Sequence, residues 1–221
     1  METDTIKTAQ GDLVITFLGH ATLMVTFGGK TVHVDPVSAE ADYTRLPAAD
    51  LILISHDHHD HLDLEAVKLI RKPETKIVGN PDAGRQIPEA IVLKNGESQT
   101  VDGFKIEAVP AYNIRHEMSP GVPFHPRGIG NGYVVTFGDK RVYFAGDTEN
   151  VPEMKQLLDI DIAFLPMNLP YTMTPEMTAD AALMFRPKIL YPYHYGETDT
   201  ARLSALLKDE KDIEIRVRKM K

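Results

Sequence analysis

A short apolar run and the window that follows it constrain this chain more than any other feature. Leu51, Ile52, Leu53 and Ile54 lead directly into Ser55-His56-Asp57-His58-His59-Asp60-His61. An apolar run of this length, rich in branched residues and closed by polar ones, is a buried strand. His56, His58, Asp60 and His61 therefore fall on the turn at its carboxyl end, with the spacing His-x-His-x-Asp-His. Imidazole and carboxylate together suit zinc, manganese or iron, and a chain with no cysteine has no thiolate site. A solvated histidine-rich loop is the plainer alternative, but the preceding strand and the spacing favour a metal pocket.

The rest of the composition narrows the class without naming a reaction. With 221 residues the chain fits one domain spanning 1–221. Its acidic residues outnumber the basic ones by 32 to 24, a net charge of −8. That balance argues against nucleic acid or an anionic membrane surface as partner. It leaves a small-molecule substrate open, even an anionic one, because bound cations carry their own positive charge. No stretch is apolar and long enough to span a bilayer, so stable membrane insertion is not expected. The first residues have neither a basic nor an apolar leader region, and with no cysteine present the expected compartment is the cytoplasm. Association with further copies stays open.

Periodicity places strands at 13–18, 23–27 and 31–35, the first two apolar and Gly28-Gly29 marking a hairpin. A helix is expected over 63–70, ended by Pro73, then short strands at 76–78 and 91–93 with a brief helix near 83–86. Asn95-Gly96 and Asp102-Gly103 predict a meander over 97–101 and 104–109. Residues 133–137 and 141–145 form another hairpin, 151–158 a helix and 162–165 a buried strand. Thr174-Pro175-Glu176 opens a helix with a cap residue, a proline in the first turn and an acid near the positive dipole end. A strand at 188–191, a helix at 200–208 and a strand at 213–217 follow. Meandering strands first, then strands alternating with helices, imply stacked sheets flanked by helices.

Residues 110–132 interrupt this rhythm with four prolines and four glycines, and they hold Asn113, His116, His125 and Arg127. A loop of that length inside a compact domain is usually functional or disordered. Asp147 follows the strand at 141–145, and His194 follows the one at 188–191. Potential ligands thus stand at three strand ends: His56 to His61, Asp147 and His194.

At this point the chain resembles the metallo-β-lactamase superfamily. The residues that carry the resemblance are Ser55-His-Asp-His-His-Asp-His-Leu62, Ala145-Gly-Asp-Thr148 and Tyr193-His-Tyr195. Leu18-Gly-His-Ala-Thr22 and Asp35-Pro36 are similar to a branch related to ascorbate-phosphate lactonases and N-acyl-phosphatidylethanolamine phospholipases. The resemblance implies an α/β fold, a four-layer αβ/βα sandwich with its metal site at one sheet edge. It implies that His56 and His58 bind one ion, that Asp60, His61 and His194 bind another, and that Asp147 bridges them. One or two divalent ions, zinc or manganese foremost, would then supply a metal-bound hydroxide that attacks an ester, lactone, amide or phosphodiester. Asp60 and Asp147 are the expected catalytic carboxylates. His58 stands where oxygen-reducing relatives tend to carry glutamate, which favours hydrolysis over oxidation.

One position departs from the pattern. The family supplies a further histidine to the first ion where this chain reads Val109-Pro-Ala-Tyr-Asn113. Asn113 occupies that place, or His116 or His125 folds back to fill it. An amide at that place is the one hint of an alternative function, a metal-binding or regulatory protein with a degraded site. Asn113, His125 and Arg127 are the expected substrate-binding residues, Arg127 offering a planar donor fork to an anion. His20 and Asp35 are either satisfied structural groups or outer partners that orient ligands. His33 reads as a half-buried strand histidine, His59 as pointing away, and Tyr171, Tyr193 and Tyr195 as core or pocket lining.

Overall fold

The computed structural model describes residues 1–221. In the first half, β1 (Glu2–Thr8), β2 (Gly11–Gly19), β3 (Thr22–Phe27) and β4 (Lys30–Val34) form an antiparallel meander. Then β5 (Ala49–Ile54), β6 (Arg71–Gly79) and β7 (Ile91–Val92) add in parallel, linked by α1 (Leu64–Ile70) and α2 (Pro81–Gln86). These seven strands lie in sequence order in one sheet.

The second half repeats the plan. The strands β8 (Ser98–Val101) and β9 (Phe104–Ala111) pair antiparallel, and a small separate hairpin of β10 (Glu117–Ser119) and β11 (Val122–Pro123) follows. Next, β12 (Gly130–Phe137) and β13 (Lys140–Phe144) complete the antiparallel part. Finally β14 (Ile162–Pro166), β15 (Ile189–Tyr193) and β16 (Glu214–Ile215) run parallel, connected by α3 (Pro175–Phe185) and α4 (Thr200–Leu206). The second sheet has the order β16-β15-β14-β13-β12-β9-β8.

The two sheets face each other across a continuous apolar core with residues such as Leu23, Val25, Leu51 and Leu53 on one side and Tyr133, Val135, Phe144 and Phe164 on the other. A smaller cluster under α1 and α2, including Ile52, Ile54, Val67 and Ile70, covers the outer face of the first sheet. β5 is buried on both faces, which explains why its sequence is a continuous apolar run rather than an alternating one. At its end the second sheet reaches across: the Tyr133 hydroxyl donates to the Ile54 carbonyl at 2.8 Å, and the Asn131 amide to the Ser55 carbonyl at 3.0 Å. The layered α/β architecture expected from the sequence is the one observed.

Three elements differ from expectation. β1 is polar enough to pass unnoticed, yet pairs with β2 through all seven of its residues. Asp4 also accepts from the Arg218 guanidinium at 2.7 Å and from the Tyr191 hydroxyl at 2.6 Å. β6 begins at Arg71 and carries Pro73, which a register irregularity between its pairings with Ala49 and Leu51 accommodates. The helix expected over 151–158 is a five-residue 3-10 turn, Pro152–Gln156, whose N-cap Val151 makes no side-chain cap bond.

Candidate metal centre

The turn after β5 is folded by its own backbone and by Asp35. The His61 and Leu62 amides both donate to the His58 carbonyl, at 3.0 and 2.8 Å. Asp35, at the end of β4, accepts from the Ser55 amide and the Ser55 hydroxyl, each at 2.7 Å. Asp63 closes the turn by capping α1, accepting from the Glu65 amide at 2.9 Å and the Ala66 amide at 3.3 Å. His56 and His61 are buried, His58 is exposed and Asp60 half-buried. His59 is 99% exposed, pointing into solvent as its position in the motif suggests.

The second half brings three more side chains to the same place, each by its own device. Asp147 follows β13 through Gly146, whose φ of +64° and close approach to the Asn131 carbonyl, 2.8 Å from where a Cβ would sit, admit only glycine. The Gly146 amide donates to the Tyr193 hydroxyl at 2.8 Å, so the buried Tyr193 serves the Asp147 turn. His194 follows β15 in a left-handed conformation (φ +46°), its amide donating to the His20 carbonyl at 3.0 Å.

His125 comes from within the long segment. Its amide and Nδ1 both donate to Asn113 Oδ1, at 2.9 and 2.6 Å, and its carbonyl accepts from the Asn113 amide at 2.9 Å. The amide orientation of Asn113 is fixed in turn, because Nδ2 donates to Glu149 Oε1 at 3.1 Å and to the Tyr171 carbonyl at 2.9 Å. Glu149 is fully buried and accepts three consecutive backbone amides, those of Ile114, Arg115 and His116, at 2.8 to 3.0 Å.

These side chains converge. The donor atoms of His56, His58 and His125 lie within 4.8 Å of one another, as do those of His56, His61 and Asp147, and those of His20, Asp60, His61 and His194. Asp147 sits in the middle. Its Oδ1 is 3.2 Å from His61 Nε2, and its Oδ2 is 3.3 Å from His125 Nε2 and 3.4 Å from His194 Nε2.

The donor chemistry fits a cation. His56 Nε2, His61 Nε2, His125 Nε2, His194 Nε2 and Asp147 Oδ1 are all buried with no hydrogen-bond partner, a cost of about 1–3 kcal/mol each if nothing binds them. Three of the rings are held in the tautomer a metal needs, with Nδ1 donating outward: His61 to Asp35 at 2.8 Å, His125 to Asn113, and His56 toward the Ser55 hydroxyl at 3.0 Å. Burial pushes the His125 ring down to about 4 and His56 well below its ordinary range, keeping both neutral. Burial opposes charge on Asp60 and Asp147 too, but His194 and its neighbouring histidines outweigh it and hold both carboxyls well below the usual range. On His61 burial is outweighed by Asp147 and Asp35, which raise it.

The structure places several of the sequence's candidate residues differently from expectation. Asn113 is not the third donor of the first group; His125 reaches that place, and Asn113 Oδ1 is already occupied by accepting from it. Neither residue is therefore free to be a simple substrate-binding group. Arg127 points away: its guanidinium is 72% exposed, pairs with Glu153 at 2.6 Å and lies over the Tyr112 ring. His116 stays outside the cluster, 2.8 Å from Glu149. His33 is fully buried rather than half-buried, donating to the Pro47 carbonyl at 3.0 Å. Tyr171 is exposed and packs on Phe124, while Tyr195 donates to the Arg218 carbonyl at 2.7 Å. Glu149 was missed, since a glutamate in a polar stretch reads as exposed; only its place two residues after Asp147 marks it.

Comparison with known proteins gives consistent relatives. The β-lactamase superfamily domain matches residues 14–194. A metal-dependent hydrolase of Thermococcus onnurineus is 34% identical over 198 residues, covering 82% of this chain and 84% of the relative. The crystal structure of a Parabacteroides distasonis protein, whose name proposes metal-dependent hydrolysis, superposes with a TM-score of 0.95 at 50% identity, covering 100% of this chain and 99% of the other. A metallo hydrolase of Ignicoccus hospitalis shares the fold, with a TM-score of 0.78 at 23% identity over 94% of this chain and 95% of its own.

Proposed function

From the premise that the chain belongs to the β-lactamase superfamily and is a metal-dependent hydrolase, we propose that it cleaves an ester, lactone, amide or phosphodiester of a small molecule at a two-metal centre. His56, His58 and His125 would hold one ion and Asp60, His61 and His194 the other, with Asp147 placed to serve both. The observation that carries this reading is the set of buried ring nitrogens with no hydrogen-bond partner gathered around Asp147. Two neighbouring cations supply a water of lowered pKa and polarise the carbonyl or phosphoryl oxygen under attack. Three imidazoles around the first position suit zinc, and the carboxylate-containing second position accepts zinc or manganese.

The chain's own residues divide the remaining work. Asp147 is buried and acts through position, keeping both sets of histidines at a fixed separation. Asp60 is the more accessible carboxylate, its side chain 34% exposed, and would orient the attacking water by accepting a hydrogen bond from it. Asn113 and Asp35 fix the rings of His125 and His61, so neither has to reorganise during the reaction. The alternative of a degraded regulatory site drew on an amide as the third ligand; the position of His125 beside His56 and His58 supports the catalytic reading instead.

The test is turnover of metal-replete protein against a panel of lactone, ester, phosphodiester and amide substrates, with metal content measured on the same sample. Hydrolysis of one class, lost in Asp147→Asn, supports the reading. Protein holding its metal but turning over no member of the panel defeats it.

A further inference from the structure

We propose that His20 is an additional ligand of the second metal position, beside Asp60, His61 and His194; the inference rests on the metal-centre reading given above. His20 lies outside the histidine-rich turn, just past the end of β2. Its backbone is left-handed, at φ +49°, a conformation that costs a non-glycine residue on the order of 1 kcal/mol or more and persists where the surroundings impose it. What imposes it is His194. The His20 carbonyl accepts from the His194 amide at 3.0 Å, and the two rings lie 3.7 Å apart between centroids. A residue of the first sheet is thus clasped to the last ligand contributed by the second.

The hydrogen-bonding of the His20 ring says which way its lone pair faces. Nδ1 lies 3.1 Å from the backbone oxygen of Lys221. A carbonyl oxygen only accepts, so Nδ1 carries a hydrogen, and in the neutral ring Nε2 presents a lone pair. That Nε2 faces Asp60 Oδ2 at 3.4 Å, and His194 Nε2 faces the same oxygen at 3.6 Å. The His20 contact is within hydrogen-bond distance, and unless a proton sits on Nε2, electron-rich atoms gathered this way repel without a cation among them. With His61 they form a set of four donors, all within 4.8 Å of one another, and the 3.4 and 3.6 Å separations are ones that bonds of about 2.0–2.2 Å to one ion produce.

A consequence is asymmetry between the two positions. The second gains five protein donors with Asp147 counted, whereas the first keeps four, His56, His58, His125 and Asp147. The second position is then nearly closed by protein and suited to a higher coordination number, and exchangeable coordination concentrates at the first.

Cobalt(II) titration of metal-free protein distinguishes this from a role in which His20 merely donates a hydrogen to Asp60. Wild type, His20→Ala and His20→Gln are compared by calorimetry, by visible absorption and by melting temperature with and without cobalt. Expected for both variants is a loss of affinity for one ion of two, at least as large as the roughly 10- to 100-fold that removing an outer partner costs. The visible band of that ion should intensify as its coordination number falls, and the melting temperature without metal should stay close to wild type. Glutamine can donate to Asp60 but is a poor ligand, so wild-type affinity and spectrum in His20→Gln would overturn the proposal. Unchanged affinities in both variants would do so too. Wild-type protein that takes up no cobalt would instead overturn the metal-centre reading itself.

Discussion

The two halves of the chain bring side chains to one place by opposite routes. In the first, His56, His58, Asp60 and His61 ride on a single turn after β5, shaped by local backbone bonds and one outer carboxylate, Asp35. In the second, His125, Asp147 and His194 arrive from separate connections, and each needs its own support: Asn113 and Glu149 for His125, Gly146 and Tyr193 for Asp147, His20 for His194. A local cluster is positioned by the strand that precedes it. A dispersed set is positioned by hydrogen bonds to residues far away in sequence, so its weak points lie outside the ligands themselves.

The most severe test of this contrast is Asp147→Ala, which removes the one side chain that the proposed reading assigns to both metal positions. It should lower kcat/KM by about 10³-fold or more, on the order of 4 kcal/mol of transition-state stabilisation, with far-ultraviolet circular dichroism unchanged. A fall of under tenfold would mean that the two groups act independently.

A pH measurement separates scaffold from site. Burial holds His33 down at about 4, against an ordinary value of 6.5. The unfolded chain therefore binds the proton first as pH falls. The stability tied to a neutral His33 is complete above about 6.5, declines between about 6.5 and 4, and levels off below, on the order of 3 kcal/mol in all. Urea unfolding of metal-loaded His33→Leu should show a shallower slope than wild type across that window. Identical slopes would assign the whole acid sensitivity to the metal centre.

Smaller again is the effect expected of Asn113→Leu. Losing the acceptor for His125 Nδ1 should weaken binding of the first ion by roughly 10- to 100-fold and leave the second nearly untouched; competition with a coloured chelator reads both. Equal weakening of the two ions would show that the support around His125 is not separable from the rest. Least of all should Arg127→Ala matter. Its ion pair with Glu153 is exposed, and such pairs contribute about 0–1 kcal/mol. Turnover should stay within about twofold, in line with the roughly ±0.5 kcal/mol usual for surface changes, and a larger loss would return Arg127 to the substrate site.

The same contrast explains what could be read from the amino acids alone. β5 and its histidines are legible because periodicity and spacing are local properties. The meanders are legible through Gly28-Gly29 and Asp102-Gly103, each at a hairpin turn, whereas Asn95-Gly96 turns the chain from the first sheet to the second instead of closing a hairpin. β1 is not, since its polar residues are held by pairing with β2 and by Arg218 near the opposite end of the chain. The place of His125 is not legible either. Nothing in Pro123-Phe-His-Pro126 announces that Asn113 will take both of its donors, a contact made possible only when Glu149 gathers three amides in between. Asn113 is one of the three residues the sequence leaves open for that place; the fold uses it to hold His125.

The crowding at Gly146 limits how such a protein can change. A single methyl group there would collide with the backbone of Asn131 and the side chain of Ser55, so the floor of the candidate site has no slack for enlargement by gradual substitution. New substrate preferences, whether reached by natural drift or by directed evolution, have to be written into more exposed segments, such as the β10–β11 hairpin and Leu169 and Tyr171. A mutational library confined to those segments should yield altered selectivity, and one aimed at the floor mostly inactive protein.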